Sequence, residues 1–127
     1  MTPEAADHID KAHQCLARAR IILAAGVGED AGRNAYLAAF HAAQALIAAR
    51  TGKDAKTHKG VHTEFARLTR NEPRLDAELR RFLPQAYDMK AIADYELGPG
   101  ADVPLDRASA AIATAERFIE CITGLLA

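Results

Sequence analysis

A single histidine, His41, stands in the middle of a segment, residues 33–50, that carries no charge between its terminal arginines. An imidazole titrates near neutral pH and can act as a general acid or base. On a helix, Arg33 is offset from His41 by about 80° around the axis, so both side chains can approach one cleft. We therefore take His41 and Arg33 as candidate catalytic residues, which would act on a phosphate or a ribose hydroxyl. The alternative is a buried histidine that another helix satisfies with hydrogen bonds.

A second polar group lies near the end of a later helical segment. Lys90 and Asp94 are four residues apart, and Tyr95 follows directly. One interpretation is an ordinary i,i+4 ion pair, worth a few tenths of a kcal/mol. The functional interpretation places these residues beside His41, on the second face of the central helix. The predicted ligand-binding residues are Asn34, Lys90, Asp94, Tyr95 and His58.

Histidine spacing suggests one further kind of site. His58 and His62 are four apart and would share a helix face, whereas His8 and His13 are five apart and align poorly. Neither pair supplies more than two ligands, so we predict no bound metal and keep a small metal-binding bundle as an alternative. The sequence also lacks a Gly-rich phosphate loop, a C-x-x-C pair and a serine nucleophile elbow. We predict no cofactor.

The segment 33–50 is also the predicted centre of the fold. It is rich in alanine, the best helix former, and contains no Gly or Pro. One face carries the larger apolar residues, and Tyr36 belongs to this core face. A helix without a charged face is buried on most sides, so this helix must contact other helices, another subunit, or both.

The remaining helices follow from apolar spacing and from start and stop signals. We predict an all-α, up-and-down bundle of four long helices and one short helix, in a single domain over residues 1–127. Thr2, Asp30 and Thr57 are the predicted N-caps. Pro84 predicts a kink or break within 80–83. The predicted helices are 3–25, 33–50, 60–70, 73–95 and 104–126, with a loop over 97–104.

Bulk composition excludes several classes of protein. The chain has 127 residues, 16 Lys and Arg against 17 Asp and Glu, and half of its residues are hydrophobic. A near-neutral charge argues against a general electrostatic grip on nucleic acid, although a local basic cleft remains open. Cys15 and Cys121 are interpreted as buried free thiols, with a disulfide as the alternative. The central segment is too polar for a membrane span, and no signal peptide is visible, so we predict a cytoplasmic protein.

Three motifs together resemble the HEPN superfamily. They are Y-x-A-x-F-H-A-A in the central helix, T-H-x-G before the short helix, and A-D-Y at the end of the fourth helix. The nearest branch is the small prokaryotic HEPN proteins often found beside a nucleotidyltransferase. The resemblance implies a helical bundle that forms a homodimer and binds RNA or nucleotide. In active members, an arginine stabilises the phosphate and a histidine activates the 2′-hydroxyl without a metal.

The sequence departs from the family's catalytic pattern. No arginine is followed by a histidine at a distance of five to seven residues, so the usual Arg-x4-6-His motif of metal-independent endoribonucleases is absent. Lys90 also stands where this branch usually has an arginine before A-D-Y, which keeps the charge but loses the bidentate fork. The leading hypothesis is a dimeric HEPN protein of a toxin–antitoxin or defence setting, with a nucleotidyltransferase partner and a dimer cleft that binds RNA or nucleotide. A non-catalytic dimeric scaffold is the alternative.

Overall fold

A computed structural model describes residues 1–98 and 102–127, and shows an all-α bundle with no strand in that part of the chain. Four helices are long and one is short, as predicted. The loop predicted over 97–104 lies partly outside the described residues, since these omit 99–101. The helices are α1 (Pro3–Ala24), α2 (Gly28–Thr51), α3 (His58–Leu68), α4 (Ala77–Tyr95) and α5 (Leu105–Leu126).

Helix α2 is the centre of the bundle, because it packs against each of the other four helices. The predicted core face is confirmed, and Tyr36, Phe40 and Ile47 on it are all buried. Alanines on both sides of α2 allow these neighbours to approach closely. The prediction that an uncharged helix is covered on most sides is therefore met within one chain.

Two glycines permit the closest approaches of α2. A Cβ on Gly28 would lie 1.9 Å from the carbonyl oxygen of Val103, just before α5. A Cβ on Gly32 would lie 2.8 Å from the sulfur of Met89 on α4. The start of α2 thus rests directly on two other elements, which positions Arg33 close to α4.

The ends of the helices correct two sequence predictions. Thr2 and Thr57 cap α1 and α3 as predicted, but Asp30 is not a cap. Helix α2 already begins at Gly28, where the contact with Val103 leaves no room for a side chain. Asp30 therefore falls in the first turn, where an acidic residue favours the positive end of the helix dipole.

Helix α4 begins later than predicted, at Ala77 rather than at residue 73. The carboxylate of Asp76 caps it by accepting a hydrogen bond of 2.9 Å from the Leu79 amide. The preceding turn is held by the Arg80 guanidinium, which donates to the carbonyl oxygens of Thr69, Glu72 and Leu75. The helix continues through Pro84, so the predicted break is wrong, and the predicted kink stays a prediction.

Three phenylalanines join α3, α4 and α5 in the core. The Phe118 ring centroid lies 5.3 Å from that of Phe65 and 6.2 Å from that of Phe82. We call these residues the phenylalanine cluster; all three are buried. Both cysteines are free, as predicted, but only Cys15 is fully buried. None of the described helices has the length and apolar character needed to cross a membrane.

Candidate functional site

Four rings from three helices meet beside α2. The Tyr36 hydroxyl oxygen lies 2.8 Å from His58 Nδ1 and 2.8 Å from His62 Nε2. The Tyr87 ring from α4 stacks on His58, with centroids 5.1 Å apart, and on Tyr36, at 5.3 Å. We call these four residues the tyrosine–histidine cluster. It brings the central-helix motif and the T-H-x-G motif into direct contact.

The T-H-x-G motif has a local structural explanation. Thr57 Oγ1 accepts a hydrogen bond of 3.0 Å from the Gly60 amide, which closes the first turn of α3. A Cβ on Gly60 would lie 2.7 Å from that oxygen, so glycine leaves space for the cap. The cap holds His58 at the first helical position. His62 follows one turn later and faces the same Tyr36 hydroxyl.

The number of protons available for hydrogen bonding constrains the protonation of this cluster. A phenol has one proton, so the Tyr36 hydroxyl can donate to one imidazole while it accepts from the other. Burial lowers the pKa of His58, and the Lys90 charge lowers it further. Burial also lowers the pKa of His62, and His58 acts on it in the same direction. Burial, together with Tyr87, raises the pKa of Tyr36 well above its ordinary range. At neutral pH all three groups are therefore uncharged.

Three charged side chains form an ion-pair chain next to this cluster. Asp94 Oδ1 accepts a hydrogen bond of 2.8 Å from Arg33 Nε, and Asp94 Oδ2 lies 2.8 Å from Lys90 Nζ. The hydrogen bond to Asp94 raises the pKa of Lys90, and the same bond lowers the pKa of Asp94. Arg33 and Lys90 share one carboxylate, so these three side chains together carry a surplus charge of +1.

Lys90 connects the ion-pair chain to the aromatic rings. Its residue surface is only 8% exposed, and its Nζ lies 5.8 Å from the Tyr87 ring centroid and 5.2 Å from that of Tyr95. The Tyr95 ring is 72% exposed at the end of α4. The charges of Lys90 and Asp94 both act on His58. We define the candidate site as Arg33, His58, Lys90, Asp94 and Tyr95.

The structure thus groups five of the seven predicted site residues and separates the other two. Asn34 is buried, and its Nδ2 donates 3.0 Å to the carbonyl oxygen of Asp30 within α2. His41 Nδ1 lies 2.7 Å from Gln44 Oε1, while Gln44 Nε2 donates to the Ala55 carbonyl oxygen. Since Gln44 Oε1 is an acceptor, His41 Nδ1 carries the proton in this pair.

His41 lies towards α1 rather than towards α4. Burial lowers its pKa, the hydrogen bond with Gln44 opposes this shift, and the nearby His8 and Lys11 of α1 lower the pKa further. The imidazole beside Lys90 and Asp94 is instead His58, because the loop after α2 returns the start of α3 to the Tyr36 side. The expected neighbourhood of His41 with Lys90 and Asp94 is therefore not what the described residues show.

Sequence reasoning missed the role of Tyr36, His62 and Tyr87. Tyr36 is buried as predicted, but its hydroxyl joins two histidines instead of merely filling the core. A buried phenol needs a hydrogen-bond partner, and two histidines with i,i+4 spacing were available. These two facts, taken together, were the signal for the cluster.

The geometry does not favour a metal. The side chains of His58 and His62 both face Tyr36, and within residues 1–98 and 102–127 no group of three or more His, Cys, Asp or Glu could hold an ion. His8 lies 3.5 Å from Asp54, and this contact supplies only two ligand groups. The metal-binding alternative therefore has no supporting site in the described chain.

Comparison with known proteins shows the family of this chain. A family model of the HEPN domain matches residues 5–125. The chain is 30% identical over 127 residues to a UPF0332 protein of Gloeobacter violaceus. This alignment covers the whole chain and 99% of the relative. It is also 30% identical over 115 residues to a protein of Methanocaldococcus jannaschii named "Putative toxin MJ0605", over 90% of this chain and 82% of the relative. The match spans all five helices, and the chain therefore belongs to the HEPN domain family.

Proposed function

We propose that this HEPN protein acts as a toxin-type protein that binds RNA or a nucleotide through a phosphate group at the candidate site. The observation that carries the proposal is the ion-pair chain, in which Arg33 and Lys90 share the single carboxylate of Asp94. The surplus positive charge lies beside a partly exposed imidazole and an exposed aromatic ring. The positive charge matches a phosphate, the imidazole matches a ribose hydroxyl, and the aromatic ring matches a base.

Arg33 is suited to the phosphate because of how it is held. Asp94 accepts from its Nε, and in the described residues neither terminal nitrogen of the guanidinium donates a hydrogen bond to protein. These two nitrogens can donate to a phosphate in the geometry that guanidinium groups favour. The start of α3 adds the positive end of a helix dipole close to His58. An exposed ring such as Tyr95 provides a face for base stacking.

A metal-independent cleavage step is the finer form of this proposal. Arg33 would stabilise the charge that develops on the phosphate, and an imidazole would remove the proton of the 2′-hydroxyl. His58 is the imidazole that shares the site with Arg33. His41 enters only if a second copy of the chain brings it across a dimer cleft. Homodimer formation, a nucleotidyltransferase partner and a cytoplasmic location belong to the same proposal.

Binding of a short fluorescent single-stranded RNA, followed by anisotropy at two salt concentrations, tests the proposal. We expect Arg33→Gln and Lys90→Gln to weaken binding about tenfold and to reduce the salt slope by about one contact. Arg20→Gln is the matched control, because it removes the same charge from an exposed pair with Glu116 at 2.9 Å. It should change the affinity less than about twofold.

Cleavage is measured separately by incubating the same RNA without metal and analysing its fragments. If all variants bind RNA as the wild type does, the ion-pair chain is structural. The protein is then better described as a non-catalytic scaffold. Binding without cleavage would support the binding proposal and remove the ribonuclease step.

A further inference from the structure

We propose that Tyr36 and His62 form a proton relay that exchanges His58 between a base and an acid at its Nε2. The relay gives the candidate site both forms of one imidazole, and its use on a ligand rests on the function proposed above. The relay itself is a property of the unliganded chain. Tyr36 and His62 are then positioning residues, which act through His58.

The hydrogen bonds around Tyr36 allow two arrangements. In the first, His58 Nδ1–H donates to the Tyr36 oxygen, and the Tyr36 hydroxyl donates to His62 Nε2. His58 Nε2 is then bare and can accept a proton. In the second, His62 Nε2–H donates to the Tyr36 oxygen, and the Tyr36 hydroxyl donates to His58 Nδ1. His58 Nε2 then carries a proton that it can give. Both arrangements use the same two contacts of 2.8 Å.

One concerted transfer converts the first arrangement into the second. A proton arrives at His58 Nε2, and the His58 Nδ1 proton moves to the Tyr36 oxygen. The original Tyr36 proton moves to His62 Nε2, and His62 releases its Nδ1 proton to water. One proton enters and one leaves, so Tyr36 and both imidazoles are neutral before and after the transfer.

Both outer nitrogens of the relay reach solvent. Among the described residues, no buried side-chain nitrogen or oxygen lacks a hydrogen-bond partner. His58 and His62 are only partly buried, and their hydrogen bonds in that part of the chain use Nδ1 of His58 and Nε2 of His62. His58 Nε2 and His62 Nδ1 are therefore accessible to water. A proton can enter at one end of the relay and leave at the other.

The surroundings keep the relay neutral and aligned. From α4, Lys90 and Asp94 act on His58 with opposite signs, and Tyr87 stacks on it. From α2, the Phe40 ring lies 4.8 Å from the His58 ring, between centroids. Burial lowers the pKa of both histidines and raises that of Tyr36, so each member remains neutral near pH 7. Contacts with the Tyr87 and Phe40 rings restrict rotation of the His58 ring away from Tyr36.

Imidazole 15N NMR on the ligand-free protein tests the relay, because the nitrogen shifts report which ring nitrogen carries the proton. Tyr36→Phe removes the bridging oxygen and keeps the ring. In the wild type, we expect protonation of one histidine to change which nitrogen of the other carries the proton. In Tyr36→Phe this tautomer change should disappear, and only the charge repulsion between the two rings should remain. Tyr87→Phe is the matched control, since that ring stacks on His58 but does not bridge, and should behave as the wild type.

A second variant gives a directional result. In His62→Phe, the Tyr36 hydroxyl has only His58 to donate to, so the first arrangement leaves the Tyr36 proton without an acceptor and becomes less favourable. The ratio of Nε2–H to Nδ1–H forms at His58 should rise by about tenfold, the effect of one ordinary hydrogen bond. An unchanged ratio in His62→Phe, or unchanged coupling in Tyr36→Phe, overturns the relay. RNA binding is measured separately, so loss of the binding proposal leaves this result readable.

Discussion

The phenylalanine cluster and the tyrosine–histidine cluster are built alike but serve different ends. Helices α3 and α4 contribute at least one ring to each, and the closest centroids are 5.3 Å apart in the first and 5.1 Å in the second. The first contains only hydrocarbon rings that are nearly inaccessible to water. The second has two tyrosine hydroxyls and four imidazole nitrogens, and two of those nitrogens reach solvent. Similar ring packing can therefore stabilise a core or align protons.

The charges near the two clusters reinforce this difference. Lys90 and Asp94 lie beside the tyrosine–histidine cluster and act on His58, whereas the phenylalanine cluster contains no titratable group. Folding stability should consequently depend mainly on packing in the phenylalanine cluster. Ligand binding and the pH response should depend on the tyrosine–histidine cluster and the charges beside it. Substitutions in the two clusters should therefore have separable effects on stability, RNA binding and pH dependence.

Phe118→Ala should have the largest effect on stability. Removing a fully buried ring that contacts Phe65 and Phe82 should lower the free energy of unfolding by about 3–5 kcal/mol. Urea unfolding measures this loss. The 15N shifts of His58 and His62 in the remaining folded protein should stay at their wild-type values. Altered imidazole shifts would show that the two clusters are not independent.

Asp94→Asn should lower stability and strengthen anion binding at the same time. The variant loses the ion pair with Arg33 and leaves the Lys90 ammonium, which is only 8% exposed, without its carboxylate, at a cost of about 1–3 kcal/mol. It also raises the surplus charge of the site from +1 to +2, so RNA affinity should rise several-fold at low salt. Chemical denaturation and RNA anisotropy measure the two changes. Weaker RNA binding by a folded variant would argue that Asp94 itself contacts the ligand.

Acid should destabilise the protein through the tyrosine–histidine cluster. His58 and His62 have lowered pKa values in the folded state, so the unfolded chain binds more protons below pH 6.5. Their contribution to stability is present above pH 6.5 and is lost as the pH falls through the folded pKa values. Unfolding free energies measured between pH 7.5 and about 5 should show this slope.

Two variants show which groups cause the pH dependence of stability. His62→Phe should reduce it, because the variant lacks one of the two imidazoles of the cluster whose pKa is lowered. Phe118→Ala should leave it unchanged, since that cluster has no group that titrates in this range. A slope that persists at full size in His62→Phe would point to His41, whose pKa is also lowered by burial.

Much of the architecture was readable from the sequence. The alanine-rich central helix, the Thr2 and Thr57 caps and the all-α class all follow from local rules, because propensity and capping act over a few residues. The errors were also local. Asp30 and residue 73 were chosen from good start signals, but the contact at Gly28 and the Asp76 cap decided where α2 and α4 begin.

The candidate site was only partly predictable. Lys90 and Asp94 could be paired from their spacing, and the T-H-x-G and A-D-Y motifs indicated that both segments matter. The partners across helices could not be deduced, because His41 and His58 are equally plausible neighbours of Lys90 until the loop after α2 is placed. Helical periodicity locates a side chain on its own helix and carries no information about which helix lies opposite.

Local sequence patterns establish which segments are helical, that α2 is the buried centre, and which residue types are available for chemistry. The packing of the helices establishes that Tyr36 bridges His58 and His62, that Arg33 shares Asp94 with Lys90, and that His41 faces α1. The two kinds of interaction differ in the sequence separation over which they act. Helix formation depends on neighbours within about one turn, whereas these contacts join residues 22 to 61 positions apart, which only the packing of α2 against α3 and α4 brings together.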